Sequence, residues 1–200
     1  MAKLYFYYST MNAGKTTTLL QSSYNYLEKG MKTLLFTPKI DNRYGENLIT
    51  SRIGISAKAI TIDYNFNIFE YIINKYNNLL NISCILIDEV QFISKKQIYQ
   101  LINIVDILNI PVIAYGLRTD FKGNPFLSSV YLLSIADKIS EIKTICYCGK
   151  KATMTMRIDF NSNKITSGKQ IKIGGNKTYV SCCRYHFYLG LSKQNKIDYE

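Results

Sequence analysis

The chain lacks any apolar run approaching the roughly 18 residues that a membrane-crossing helix needs. Its amino terminus passes from Met1-Ala2-Lys3 directly into the aromatic stretch Leu4 to Tyr8, too short for the apolar core of an export signal. These absences point to a protein that keeps its amino terminus and stays in the cytoplasm, with no membrane partner. Without an export signal, the five cysteines (Cys84, Cys146, Cys148, Cys182 and Cys183) are not expected to build a disulfide framework. Metal binding is the better reading of the four that cluster in the last third. Long lysine blocks are also missing. The net charge of +11, from 25 basic against 14 acidic residues, is spread among Ile, Asn and Tyr. That spread argues against a nucleic-acid groove and suits an enzyme whose substrate is a nucleotide polyanion. Histidine occurs once, at His186. A hydrophobic content of 47% excludes a disordered chain.

What is present reads as one α/β domain with a small appendage. Leu4 to Tyr8 is a short buried strand. Leu19-Leu20, Tyr24 and Leu27 have helical spacing, and Gly30 follows as a stop. Thr33 to Thr37 is a second strand. Phe69 to Leu80 and Ile98 to Leu108 read as helices, Cys84 to Ile87 and Pro111 to Tyr115 as buried strands, and Lys138 to Ile142 as the last strand. This alternation predicts a parallel sheet covered on both faces. Beyond Lys143, cysteines, glycines and short β-type runs (Thr153 to Ile158, Gln170 to Ile173, Tyr179 to Ser181) replace long helices. The expected division is an ATP-binding α/β domain over 1–143, a metal-stapled β module over 144–192 and a polar tail over 193–200.

The strongest local signal is Ser9-Thr10-Met11-Asn12-Ala13-Gly14-Lys15-Thr16. It follows the phosphate-loop pattern G-x-x-x-x-G-K-[ST] except for Ser9 at the first glycine, and it lies between a strand and a helix as that loop requires. Backbone N–H groups of such a loop and of the following helix form a concave anion site. Gly14 permits close approach, Lys15 reaches the β- and γ-phosphates of ATP, and Thr16 offers its hydroxyl to Mg²⁺. Asp88, at the end of the strand from Cys84 to Ile87, has the position of the carboxylate that holds Mg²⁺. Glu89 then stands over the carboxyl edge of the sheet, where it can polarise an attacking oxygen. The pair leaves the acceptor open, since water or an alcohol would serve.

Cys146 and Cys148 form a C-x-C turn, and Cys183 with His186 forms C-x-x-H after thirty-four intervening residues. Three thiolates and one imidazole suit a closed tetrahedral structural zinc. Cys182 is an alternative to Cys183, and the spacing to His186 favours Cys183. The insertion between the ligand pairs, with Gly168 and Gly174-Gly175, is a candidate for folding over a substrate.

Taken together, YYSTMNAGKTT (7–17), IDEVQF (87–92), YGLRTDF (115–121), CYCGK (146–150) and IGGNKTYVSCCRYH (173–186) resemble the small zinc-containing thymidine kinases of bacteria and animal cytosol, in the same order and over nearly the whole chain. The resemblance implies a P-loop (RecA-like) sheet with helices on both faces and a small C-terminal zinc β module carrying a substrate-covering loop. It implies transfer of the γ-phosphate of ATP to the 5′-hydroxyl of thymidine in nucleotide salvage, with Glu89 as base. Ser9 to Thr16, Asp88 and Gln91 would serve the ATP side. Met11, Phe92, Leu117, Phe121, Ile171, Ile173, Gly174, Gly175 and Tyr179 would surround the nucleoside, with Arg43 and Arg157 as basic positions near sugar or phosphates. It further implies a homotetramer inhibited by dTTP. The competing reading is a P-loop ATPase acting on nucleic acid, with the zinc module as its grip.

Overall fold

The computed structural model describes residues 1–41, 45–77, 82–171 and 178–192. In chain order the elements are β1 (Leu4–Ser9), α1 (Lys15–Glu28), β2 (Lys32–Pro38), β3 (Leu48–Thr50), β4 (Ser56–Lys58), β5 (Ile60–Ile62), α2 (Ile68–Asn77), β6 (Ile82–Ile87), α3 (Lys95–Leu108), β7 (Val112–Leu117), α4 (Leu127–Ile135), β8 (Lys138–Glu141), β9 (Met154–Arg157), β10 (Tyr179–Cys182) and α5 (Arg184–Leu189). Six strands form one sheet in the order β5-β2-β6-β7-β1-β8. Every neighbouring pair in it is parallel.

The central strands β6 and β7 are almost wholly apolar, Ser83 being the exception, because both of their faces are covered. In β6, Ile85 and Ile87 join a core with Phe6, Phe36, Ile72, Leu101, Ile104 and Leu132, beneath α2, α3 and α4. Cys84 and Leu86 point the other way, toward Leu19 and Leu20 of α1, with Leu35 and Tyr115. Because all six strands run in parallel, their carboxyl ends share one edge. The turns after β1, β6 and β7 therefore meet there.

Two local expectations need correction, and one helix carries no periodic signal. On α1 the packed stripe runs through Leu19, Leu20 and Ser23, whereas Tyr24 and Leu27 are each 57% exposed. Ser23 hides among apolar neighbours because its hydroxyl pairs with that of Thr33 at 2.8 Å, so polarity disguised the true face. Helix α3 starts three residues before Ile98, at a capping box between Ser94 and Gln97. Helix α4 was not foreseen, since its pattern is inverted. Ser128 and Ser129 are buried and donate to the carbonyls of Ile93 and Leu117, while Leu127 and Val130 face outward.

After β8 the chain builds a small separate core. Strands β9 and β10 pair antiparallel, with Thr155 opposite Ser181 and Met154 opposite Cys182. Met154, Met156, Phe187 and the late cysteines pack together on them.

Candidate active site

The loop from Ser9 to Thr16 leaves β1 and enters α1 through backbone that regular structure does not use. Asn12 and Gly14 are left-handed, with φ of 62° and 83°. No atom lies within 4 Å of a Cβ placed at Gly14, so the dihedral, not crowding, calls for glycine there. Lys15 is 7% exposed and folds back over its own loop, its Nζ donating to Ser9 Oγ at 3.1 Å and to Thr10 O at 2.7 Å. Thr16 Oγ1 donates to Asp88 Oδ2 at 2.9 Å, tying the loop to the end of β6.

Asp88 is buried, and that burial pushes its carboxyl well above the usual range. The charge of Glu89 raises it further, while the Thr16 hydroxyl and the Lys15 ammonium oppose the shift. Asp88 Oδ1 also accepts the Glu89 N–H at 3.0 Å. Glu89 itself is left-handed, φ 47° and ψ 40°, and a single 3-10 turn over Val90–Phe92 follows. The break swings Glu89 away from the strand axis. Its carboxylate accepts from Gln91 Nε2 at 2.6 Å, and Gln91 Oε1 accepts Leu117 N–H at 2.9 Å. Gln91, expected on the ATP side, is thus a buried bracket between Glu89 and the end of β7.

Two cavities meet at this point. One follows the phosphate loop and is lined by Met11 to Thr17, by Glu89, and by Thr50, Arg52 and Ile53 from the hairpin of β3 and β4. Ser9 and Thr10 do not line it; they hold Lys15 instead. The other is a slot with about 530 Å³ of open space, its solvent-filled mouth included. The expected residues Met11, Phe92, Leu117, Phe121, Ile171 and Tyr179 all line it, joined by Asp41, Thr119, Asp120, Phe126, Thr155 and Gln170. Met11 and Glu89 border both cavities. Arg157, expected near sugar or phosphates, is buried against the slot wall and donates to the Tyr179 hydroxyl at 2.8 Å and 3.1 Å. Arg43, Ile173, Gly174 and Gly175 lie outside the described residues. Arg52, Thr155 and Gln170 had no motif to announce them, and only the packing of distant segments brings them here.

In the small module, the ligand atoms of Cys146, Cys148, Cys183 and His186 lie within 4.8 Å of one another. His186 Nδ1 is 3.3 Å from Cys146 Sγ and 3.4 Å from Cys183 Sγ, and the thiols of Cys148 and Cys183 are 4.0 Å apart. A tetrahedral zinc with Zn–S near 2.3 Å places its sulfurs about 3.8 Å apart. The donor set therefore fits a closed structural zinc site. Cys182 stays in the β10 ladder opposite Met154, whereas Cys183 caps α5 beside His186, and this decides between the two.

A phosphate loop facing an acidic strand end, beside an open-mouthed and largely apolar slot, defines a P-loop protein of the α/β class with room for a second small molecule next to a polyphosphate. A profile of the family described as Thymidine kinase matches residues 2–187. A Thymidine kinase of Coxiella burnetii is 56% identical over 196 residues, covering 98% of this chain and 100% of that one. Those of Legionella pneumophila (strain Lens) and Haemophilus influenzae (strain 86-028NP) are each 54% identical. The first covers 95% of this chain and 91% of its own length, the second 94% and 96%. The chain belongs to the thymidine kinase family.

Proposed function

We propose that this protein transfers the γ-phosphate of ATP to the 5′-hydroxyl of thymidine. The observation that carries the reading is the position of Glu89, whose side of the turn borders both the phosphate-loop cleft and the apolar slot. A nucleoside in the slot, its base against Phe121 and Tyr179, presents its hydroxyl at that junction. The 5′-oxygen attacks the γ-phosphorus, the bond to the β–γ bridging oxygen breaks, ADP leaves, and the hydroxyl proton passes to the Glu89 carboxylate. Lys15 and the backbone N–H groups after Met11 hold the phosphates. Thr16 and Asp88 are the residues that would hold Mg²⁺, which would supply neutralisation of the phosphate charge.

The same geometry supports the finer parts of the reading. Slot and cleft share Met11 and Glu89 as lining, so dTTP, as a feedback inhibitor, would lie with its base in one and its phosphates in the other. Helix α4 turns Leu127, Val130 and Ile135 outward, which supports a homo-oligomer, a tetramer in our reading. No helix among the described residues is long and apolar enough to cross a membrane, and we place the enzyme in the cytoplasm. We take 1–143 as the ATP-binding unit and 144–192 as the zinc-bearing module that closes over the nucleoside, with the segment 149–182 as the cover.

The test is product formation from ATP alone, with thymidine, and with single-stranded DNA. Thymidine is expected to yield TMP and ADP in equal amounts. Glu89→Gln should bind both substrates while losing about 10²–10⁴-fold in kcat. Turnover stimulated by DNA and not by thymidine would replace this reading with a nucleic-acid-dependent ATPase.

A further inference from the structure

Within the phosphate loop the Lys15 ammonium ties down Ser9 and Thr10. Asn12 and Gly14 are left-handed, and a segment of alternating handedness has no ladder of its own to fix its position. At Met11 the fixing contacts come instead from the far end of the chain. Thr155 Oγ1 accepts the Met11 N–H at 3.1 Å, across 144 residues. Ser181 Oγ donates to Met11 O, across 170 residues. These two hydroxyls are not independent: Thr155 and Ser181 are direct partners in the antiparallel pair of β9 and β10. One cross-strand pair therefore grips one peptide unit's N–H and the neighbouring carbonyl of the same residue. Thr10 Oγ1 adds a third contact, to Met11 O at 3.2 Å.

We propose that Thr155 and Ser181 are positioning residues for the phosphate loop. By holding Met11 they set where the loop's free N–H donors point, and they make loop and late module one mechanical body. Three observations support this assignment. With its N–H engaged by Thr155, Met11 is withdrawn from phosphate binding, so the donors that face the cleft begin at Asn12. Met11 borders both cavities, so its placement sets the distance between the nucleoside slot and the phosphate cleft. Strand β10 itself carries Tyr179 of the slot wall at one end and runs into the ligand Cys183 at the other. The inference rests on the reading that this loop holds the phosphates of ATP, and it adds that the hydroxyl pair of the late module determines how well it does so.

Ser181→Ala separates this role from others, because Ser181 lines neither cavity and is not a metal ligand. In Ser181→Ala and Thr155→Val, the Kd for Mg²⁺–ADP, measured by calorimetric titration, is expected to rise about three- to tenfold, the equivalent of one ordinary hydrogen bond. Zinc content and Tm should stay close to those of the parent, and Ser181→Thr and Thr155→Ser, which restore a hydroxyl, should return the Kd to within about twofold. ADP affinity equal to the parent's in both hydroxyl-free variants would overturn the proposal. So would a weakened affinity that appears only together with lost zinc, since that would be loosening of the whole module. If the parent binds ADP yet fails to phosphorylate thymidine, the kinase reading falls while this comparison of nucleotide affinities still stands.

Discussion

The guanidinium carbon of Arg157 lies over the ring of Phe121, 3.6 Å from its centroid. The same group donates to the carbonyls of Lys169 and Gln170 at 2.9 Å and 3.2 Å, in addition to the Tyr179 hydroxyl. Three separate segments are thereby fastened around one planar cation: the turn after β7, strand β10, and the chain leading into the late loop. Arginine suits this place because its fork offers several fixed donors while its face stacks on an aromatic ring. Arg157→Ala should raise the KM for thymidine at least about tenfold, with a smaller effect on the KM for ATP, because the slot wall loses its anchor. Arg157→Lys should rescue little, since an ammonium can neither stack nor fork. Steady-state kinetics with each substrate varied in turn gives the answer, and an unchanged thymidine KM in both variants would refute the anchoring role.

Gly116 is required for a different reason. A Cβ there would stand 2.7 Å from Val90 Cγ1 and 2.8 Å from Gln91 Oε1, closer than packed atoms allow. The turn that carries Glu89 would have to shift. Gly116→Ala is expected to destabilise the fold by about 1–3 kcal/mol, as overpacked cores do. It should also lower kcat on the order of 10²-fold, since a displacement near 1 Å of the reacting groups has that effect. Urea denaturation and kcat measured on the same preparation test the two parts together; a stable variant with normal turnover would mean that the turn accommodates the methyl without moving Glu89.

The third prediction concerns the metal. His186 Nε2 is buried without a hydrogen-bond partner among the described residues, while its Nδ1 faces the thiols. Cys146→Ser should abolish stoichiometric zinc, lower the Tm, and raise the thymidine KM through loosening of β9 and β10, because such sites contribute folding energy directly. Elemental analysis, melting and kinetics belong in one experiment. Normal melting and kinetics in a zinc-free variant would leave the cluster without a structural role.

Several of these elements were legible before any coordinates. The phosphate loop, the Asp88-Glu89 strand end and the C-x-C with C-x-x-H pair are local in the chain, and each carries its chemistry in a fixed spacing. The apolar strands were equally plain, because a strand buried on both faces has little room for polar residues. Other features resisted. Helix α4 hides its hydrogen-bonded serines inside and turns leucine outward, which reverses the pattern that periodicity relies on. The hairpin of β3 and β4 is three residues on each side, too short to signal itself, although it brings Arg52 to the phosphate cleft. Gln91 reads as a polar residue near phosphates until its two hydrogen bonds identify it as a bracket.

From residue order alone came the parallel sheet, the candidate phosphate loop, the Cys/His cluster and the acid we propose as base, since each is announced by a short run of neighbouring residues. Which hydroxyls grip Met11, why Gly116 tolerates no side chain, and how Arg157 joins three segments were decided only in three dimensions. Those contacts join parts of the chain far apart in sequence, and short-range hydrogen bonding and close packing exist only once the fold has brought the partners within reach.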